Sequence, residues 1–435
     1  MKKAVCLLWI LLVMCGCTLP GELHRDTALG EEKLVYESSL SQAVPQETKP
    51  EEEAVYETAG EAVTKEQEDG ETFSGKLPAE GEVTVLTEEE KAQLMREQQN
   101  LYAFSMLEVT QQNLYAEILY ALTNYVEEME VSTLDTKEID TVFQCVLLDH
   151  PEIFYTDGYT FVKYTLGDEI KRITFSGTYI YDRQEREELL KQIEAAVSSV
   201  VSGIAPEASD YDKIKYIYET VIEGCEYRLD ARDNQNICSV FLYGSSVCQG
   251  YAKAVQLLCG RMGIPATLVT GTVDNGEGHA WNLVRIDGEW YHLDATWGDA
   301  FYLFEESAAN GGELQTQVPE INYDYLCVTT DQIGRTHTIS HLLPLPECSA
   351  MENNYYVKDG AYFVTADMEQ FGAFVMRCRQ EGRESVTIKC STDEVYDELL
   401  SQLIGQQLIF HYLEPVDGSI MYTDSKAQLS LTFWL

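Results

Sequence analysis

Basic residues are scarce in this 435-residue chain: 30 Lys and Arg stand against 73 Asp and Glu, for a formal net charge of −43. A nucleic-acid binder needs a basic footprint to meet the phosphates, so this balance argues against that class. The acidity suits basic protein or amine substrates, and equally suits a surface charged for solubility alone. The chain also has no Cys-x-x-Cys pair, which leaves a zinc site with little support; no metal and no organic cofactor is expected. There is no internal repeat. The apolar run from Ala4 to Met14 is too short to be a comfortable transmembrane helix.

That run follows Met1-Lys2-Lys3 and precedes Cys15-Gly16-Cys17. A basic start, a short apolar stretch and a small residue before cysteine are the marks of an exported precursor. Met14-Cys15-Gly16-Cys17 resembles a bacterial lipobox, which implies cleavage before Cys17 and lipidation of its sulfur. The alternative is an ordinary signal peptide cut nearby. The expected location is extracytoplasmic, anchored to the cell membrane by lipid alone. Residues 18–87 lack periodicity and are crowded with Glu, Thr, Ala, Gly and Pro. Such a stretch has too little apolar surface to offset the entropy of ordering, and reads as a disordered acidic linker. About 70 residues of it would reach on the order of 45 Å.

Twelve cysteines raise the question of disulfides in an exported chain. Cys6 and Cys15 leave with the signal peptide, 1–17, and Cys17 carries the lipid. Apart from Cys248, discussed below, eight remain: Cys145, Cys225, Cys238, Cys259, Cys327, Cys348, Cys378 and Cys390. They are scattered, and a chain of this size folds without staples, so bridges and free buried thiols stay equally open.

Three folded sections are expected. Residues 88–205 form an N-terminal α+β extension. It has a helical stripe from Leu101 to Leu122, strands around 159–164 and 170–180, and a helix over 183–200. Residues 206–345 form the core that carries the chemistry. Residues 346–435 alternate strand and helix signals and suggest a small α+β module. The last section shows no sharp chemistry.

The core holds the informative residues. After Cys248, the positions Val255, Leu258, Cys259 and Met262 recur at helical spacing, and Gly263 followed by Pro265 is a stop signal. Gly244-Ser245-Ser246 reads as a turn with a capping side chain. Cys248 therefore falls in the first turn of a helix, where free N–H groups and the dipole favour thiolate and could hold an oxyanion. Gly250 would let a backbone or a substrate approach closely. Most cysteines taken singly are structural; the next two residues decide against that here.

Residues 266–273 read as a strand, Asp274 to Gly278 as a turn, and 279–286 as a second strand. Asp287-Gly288 is a hairpin signal, and 289–294 returns. A two-residue turn sets Ile286 opposite Glu289 and Trp281 opposite Asp294, so His279 and Asp294 project from one face as diagonal neighbours. Asp294 can then orient the His279 imidazole as a base toward Cys248. His292 shares the face and competes for the role of base, but register places it opposite Leu283, where packing is the better reading. His337 and His341 lack an acidic ligand pattern and read as loop or surface residues. Trp281, Trp290, Tyr291 and Trp297 read as core and pocket wall.

The stretches Val247-Cys248-Gln249-Gly250-Tyr251-Ala252, Gly263-Ile264-Pro265-Ala266, Gly278-His279-Ala280-Trp281-Asn282 and Trp290 to Trp297 together resemble the transglutaminase-like superfamily, papain-related enzymes with a circularly rearranged core. A weaker likeness covers about 88–345, where Asp149 to Tyr155 is similar to a segment upstream of this core in bacterial lipoproteins. The resemblance implies an α+β fold with a papain-like core, Cys248 as nucleophile, His279 as general base and Asp294 as orienting acid. The second oxyanion donor is open; Tyr227 and Tyr243 are guesses. The implied activity is acyl transfer from a protein or peptide amide of the cell envelope, resolved by an amine in cross-linking or by water in a cysteine peptidase or amidase. A non-catalytic envelope binding module is the alternative, and a coenzyme-dependent acyltransferase ranks last. Oligomeric state is not readable.

Overall fold

The computed structural model describes residues 21–26, 33–38, 63–64, 83–166, 169–299, 321–414 and 419–435. The expected signal peptide and the lipidated Cys17 lie outside the described residues, as does most of the acidic stretch. Within that stretch, Gly21–Asp26 (β1) and Lys33–Ser38 (β2) are strands paired antiparallel, and β1 extends a sheet of the C-terminal module. Val63–Thr64 (β3) pairs parallel with residues 160–161.

The fold is α+β. In the N-terminal section, Glu88–Gln98 (α1) starts at a capping box of Thr87 and Glu90. The stripe expected from Leu101 to Leu122 is two helices, Tyr102–Ser105 (α2) and Val109–Asn124 (α3). Glu108 breaks it: its side chain joins Gln111 in a capping box that starts α3 afresh. Met129–Val131 (β4) leads to Thr136–Asp149 (α4), whose buried face is Ile139, Val142, Phe143 and Val146. Thr156–Leu166 (β5) and Glu169–Tyr179 (β6) form a long hairpin in a sheet ordered β3-β5-β6-β4. Arg183–Val201 (α5) closes the section.

Asp149 fastens this section. It is buried at the end of α4, and its two oxygens accept from the Ala103 and Phe104 amides at 2.9 and 2.8 Å and from the Tyr115 hydroxyl at 3.1 Å. The start of α2 is thus capped by a carboxylate from another helix.

In the core, Asp210–Gly224 (α6) precedes two short parallel strands, Glu226–Tyr227 (β7) and Ser245–Ser246 (β8). Cys248–Arg261 (α7) follows and packs on an antiparallel sheet. That sheet has Ala266–Val273 (β9), Gly278–Ile286 (β10), Glu289–Leu293 (β11) and His337–Ile339 (β12), in the order β11-β10-β9-β12. Between β11 and β12 come the short helices Ala295–Gly298 (α8) and Thr330–Ile333 (α9). One apolar cluster runs from Leu86 to Cys327, so the N-terminal section and the core share their interior.

The C-terminal module has Tyr355–Lys358 (α10), Tyr362–Phe363 (β13), Met368–Gln380 (α11), Ser385–Cys390 (β14), Asp393–Leu400 (α12), Ser419–Ser425 (β15) and Ser430–Trp434 (β16). Its sheet runs β13-β14-β16-β15-β1-β2, and it has its own apolar cluster from Tyr356 to Phe433.

Replacing Asp149 by Ala leaves two backbone amides and a tyrosine hydroxyl without an acceptor in the interior. Urea unfolding of D149A should show a loss on the order of 3 kcal/mol, from desolvated donors costing ~1–3 kcal/mol each. A change within error would mean that the Asp149 bonds contribute little.

Candidate active site

The candidate nucleophile sits where the sequence places it, at the first residue of α7. The N-cap is Val247, which has no side-chain acceptor, so the expected serine cap is absent. Ser245 and Ser246 are instead a strand beside Glu226 and Tyr227, and the Ser246 hydroxyl turns inward to Ser239 Oγ (2.6 Å) and Asn234 O (2.8 Å). The start of the helix is thereby left without a side-chain cap. Gly250 lets this turn close: a Cβ there would lie 2.0 Å from Ser246 Oγ and 3.0 Å from the Asn234 carbonyl oxygen. Cys248 is half-buried and packs against Ala252, Leu268 and Ala280.

The hairpin register brings the acid to the base. Asp287 and Gly288 take positive φ of 52° and 91°, the left-handed pair that a two-residue turn demands. Ile286 pairs with Glu289 and Leu283 with His292, and the same count sets Trp281 against Asp294. His279 Nε2 lies 2.7 Å from Asp294 Oδ2, and the Cys248 side chain is near enough to the ring to favour its charged form. Since Nε2 is committed to the carboxylate, Nδ1 is the nitrogen left for sulfur. Asn282, three residues along β10, donates to Ala252 O at 2.9 Å and ties the histidine's strand to the cysteine's helix.

Asp294 is fully buried. Its Oδ1 accepts from the Thr296 and Trp297 amides at 2.9 and 3.2 Å, so the same group caps α8. Burial alone would raise this carboxyl, but the charge and hydrogen bond of His279, and the hydrogen bond of His337, hold it well below the usual carboxylate range. For His279, burial works toward the neutral ring. Asp294 and the Cys248 side chain outweigh it and push the histidine up to about 10. The arrangement therefore favours an imidazolium held between a carboxylate and a sulfur.

His292 is buried and neutral. Burial, with His337 nearby, pushes it down to about 3; its Nδ1 accepts from the Trp281 indole at 3.0 Å, and its Nε2 faces Thr330 Oγ1 at 3.3 Å. It orients Trp281, whose ring lies nearly parallel to that of His279 with centroids 6.0 Å apart. Trp297 stands edge-on to His279 at 6.2 Å.

His337, expected on a loop or the surface, is instead part of the site. It opens β12 and is buried, with Nε2 3.0 Å from Asp294 Oδ2. The β-branched run after it was the one available sign of a strand. His341 is half-buried, with Nδ1 near Thr270. Among the described residues, His279, Asp294 and His337 offer three ligand-type atoms within 4.8 Å of one another. Both histidine nitrogens meet one carboxylate oxygen at hydrogen-bond length, which accounts for the cluster without an ion. Of the tyrosines considered for the oxyanion, Tyr227 pairs with Ser246, and the Tyr243 ring lies under Arg232.

The nine described cysteines are free thiols, and only Cys248 is not fully buried. Burial pushes Cys145, Cys225, Cys238, Cys259 and Cys390 up to about 12.

Residues 198–295 match the family model described as the transglutaminase-like superfamily. In sequence, the chain is similar to kyphoscoliosis peptidase of Mus musculus, 28% identical over 123 residues, and of Homo sapiens, 27% identical over 121 residues. The matches cover 24% of this chain and 19% and 18% of those proteins, so the chain spans about a fifth of the length of the curated relatives it matches. Among solved structures, a TGase is 16% identical with a TM-score of 0.24, covering 39% of this chain and 51% of its own. The periplasmic domain of TgpA from Pseudomonas aeruginosa bound to ethylmercury is 18% identical with a TM-score of 0.22, covering 31% and 60%. The family match begins in α5, takes in all of α7 and the hairpin, and ends one residue past Asp294: residues 198–295 are a domain of the transglutaminase-like superfamily.

Proposed function

We propose that the chain is a thiol acyl-transfer enzyme acting on protein or peptide amides, with Cys248, His279 and Asp294 as its triad. The observation that carries the reading is the His279 ring, hydrogen-bonded to Asp294 through Nε2 and near enough to the Cys248 side chain for the sulfur to favour its charged form. The proposed cycle begins with the Cys248 thiolate adding to the amide carbonyl. The oxyanion forms at the uncapped start of α7, where backbone N–H groups and the dipole favour negative charge. The tetrahedral species collapses as the His279 imidazolium gives its proton to the leaving amine or ammonia. A thioester and a neutral imidazole remain. An incoming amine or water then adds to the thioester, His279 takes its proton, and the thiolate leaves. An amine yields a cross-link and water yields hydrolysis. Asp294 orients the ring throughout and stabilises its charged form. Trp281 and Trp297 form an aromatic wall beside the histidine. The proposed setting is the outer face of the cell membrane, with a lipid on Cys17 and cell-wall peptides or proteins as substrates.

Iodoacetamide should label Cys248 selectively at pH 7, because the eight other described thiols are buried. His279 stays protonated up to about pH 10, so its contribution to the rate should persist through pH 9 and be lost above that. In His279→Ala the rate should follow a simple thiol, rising only near about pH 8.5. Mass-spectrometric mapping decides; equal labelling of Cys248 in both proteins at pH 7 would favour the binding-module reading.

Asp294→Asn removes the charge that opposes burial at His279. Histidine NMR titration should show the His279 pKa falling well below about 10. Turnover of a peptide amide should fall roughly 10²–10⁴-fold, as when an orienting carboxylate is lost. An unmoved titration would remove Asp294 from the mechanism.

Cys17→Ser should abolish incorporation of labelled fatty acid into the protein in its host and shift it out of the membrane fraction. Undiminished incorporation would sink the lipid-anchor assignment.

A further inference from the structure

Lys389, on β14 of the C-terminal module, is a buried cation whose side chain is only 3% exposed. An ammonium offers donors alone. It gives one to Asp324 Oδ1 at 2.8 Å and one to Gln428 Oε1 at 3.1 Å. The second oxygen of Asp324 accepts from Ser430 Oγ at 2.7 Å. With its oxygen facing the ammonium, the Gln428 amide has one orientation, and its Nε2 points to Thr336 Oγ1 at 3.2 Å. The Thr336 hydroxyl keeps its single hydrogen and a second lone pair, and it lies 2.8 Å from His337 Nδ1. Asp294 Oδ2 only accepts and lies 3.0 Å from the other ring nitrogen, so the His337 proton resides on Nε2 and the neutral ring takes the threonine hydrogen at Nδ1. Thr336, His337, Lys389 and Gln428 are all buried. A directed hydrogen-bond chain thus runs from the C-terminal module, through Thr336 and His337, to the carboxylate that holds His279.

We propose that His337 is a positioning residue for the Cys248–His279–Asp294 site, and that the tautomer it turns to Asp294 is held in place by Thr336 together with Gln428 and Lys389 of the C-terminal module. The effect on reactivity rests on the functional reading above; the tautomer does not. The tautomer matters because Asp294 Oδ2 serves two imidazoles. With the proton on Nε2, His337 donates and leaves the remaining lone pair aimed at His279. With the proton on Nδ1, an unshared pair of His337 would face the carboxylate and push it off that line. The C-terminal module, which holds no residue of the triad, thereby becomes part of what makes the site competent.

The test uses the mature full-length chain with ¹⁵N-histidine. Imidazole ¹⁵N shifts report which His337 nitrogen carries hydrogen, with assignment by His337→Gln. Alkylation of Cys248 at pH 7 reports the site. Three variants break or keep the chain: Thr336→Val deletes the hydroxyl, Thr336→Ser keeps it, and Gln428→Glu supplies acceptors alone, so that the threonine hydrogen turns away from His337. Wild type and Thr336→Ser should both show the neutral ring protonated at Nε2. Thr336→Val and Gln428→Glu should change the His337 pattern and slow Cys248 alkylation roughly tenfold, the effect of losing one orienting hydrogen bond. Thr336→Val is close to isosteric and serves if Gln428→Glu fails to fold. Wild-type His337 protonated at Nδ1, or a pattern unmoved in Thr336→Val, would overturn the relay. A changed pattern with an unchanged alkylation rate would overturn the positioning role. Wild-type alkylation no faster than a free thiol would instead fail the functional reading, and the ¹⁵N pattern would still decide the relay.

Discussion

The arrangement depends on one buried carboxylate. Asp294 sits where β11 ends and α8 begins, and it takes two backbone amides on one oxygen and two imidazoles on the other. A carboxylate with no solvent exposure would be strongly unfavourable without such partners. Two segments separated from it in sequence must therefore reach it, β10 with His279 and β12 with His337, while the α8 turn that follows it folds back onto it. Their convergence fixes the sheet whose central strands, β9 and β10, pack on the helix of Cys248. The same group closes a strand, opens a helix and orients the candidate base.

Around that anchor the charges are placed in sequence. A cationic ring lies between Asp294 and the Cys248 side chain, and the sulfur sits at the start of α7, which Val247 leaves without a side-chain cap. Ser246, two residues before Cys248, could have been a cap, but its hydroxyl is held by Ser239 and Asn234. Local propensity is overridden here in favour of an open helix end, which keeps the dipole available to whatever negative charge forms there.

Where the signals are local, the sequence is easy to read. The helix after Cys248 announces itself by apolar spacing and by Gly263 with Pro265. The Asp287-Gly288 turn has so few conformations that register, and with it the meeting of His279 and Asp294, follows by counting. What is missed is non-local or short. His337 lies on a three-residue strand and meets an acid 43 positions away. Gln428 reaches Thr336 across 92 positions, and no periodicity encodes such a contact. The N-terminal stripe was continuous in hydrophobicity but broken by the Glu108 capping box, a signal that outranks the apolar count. The strands at 21–26 and 33–38 lie in an acidic stretch where neither composition nor alternation marks them.

The eight buried free thiols among the described residues carry a further consequence, one of timing. Burial shields a thiol only after the chain has folded, whereas the unfolded chain presents all of them at once. In an oxidising compartment, folding and mispairing would run as competing reactions, since thiolates attack any accessible disulfide. The outcome would depend on speed, not on the final energy difference. Secretion rate, chaperone supply and ambient redox poise would then set the yield of intact protein, while the finished molecule would be largely indifferent to reductants.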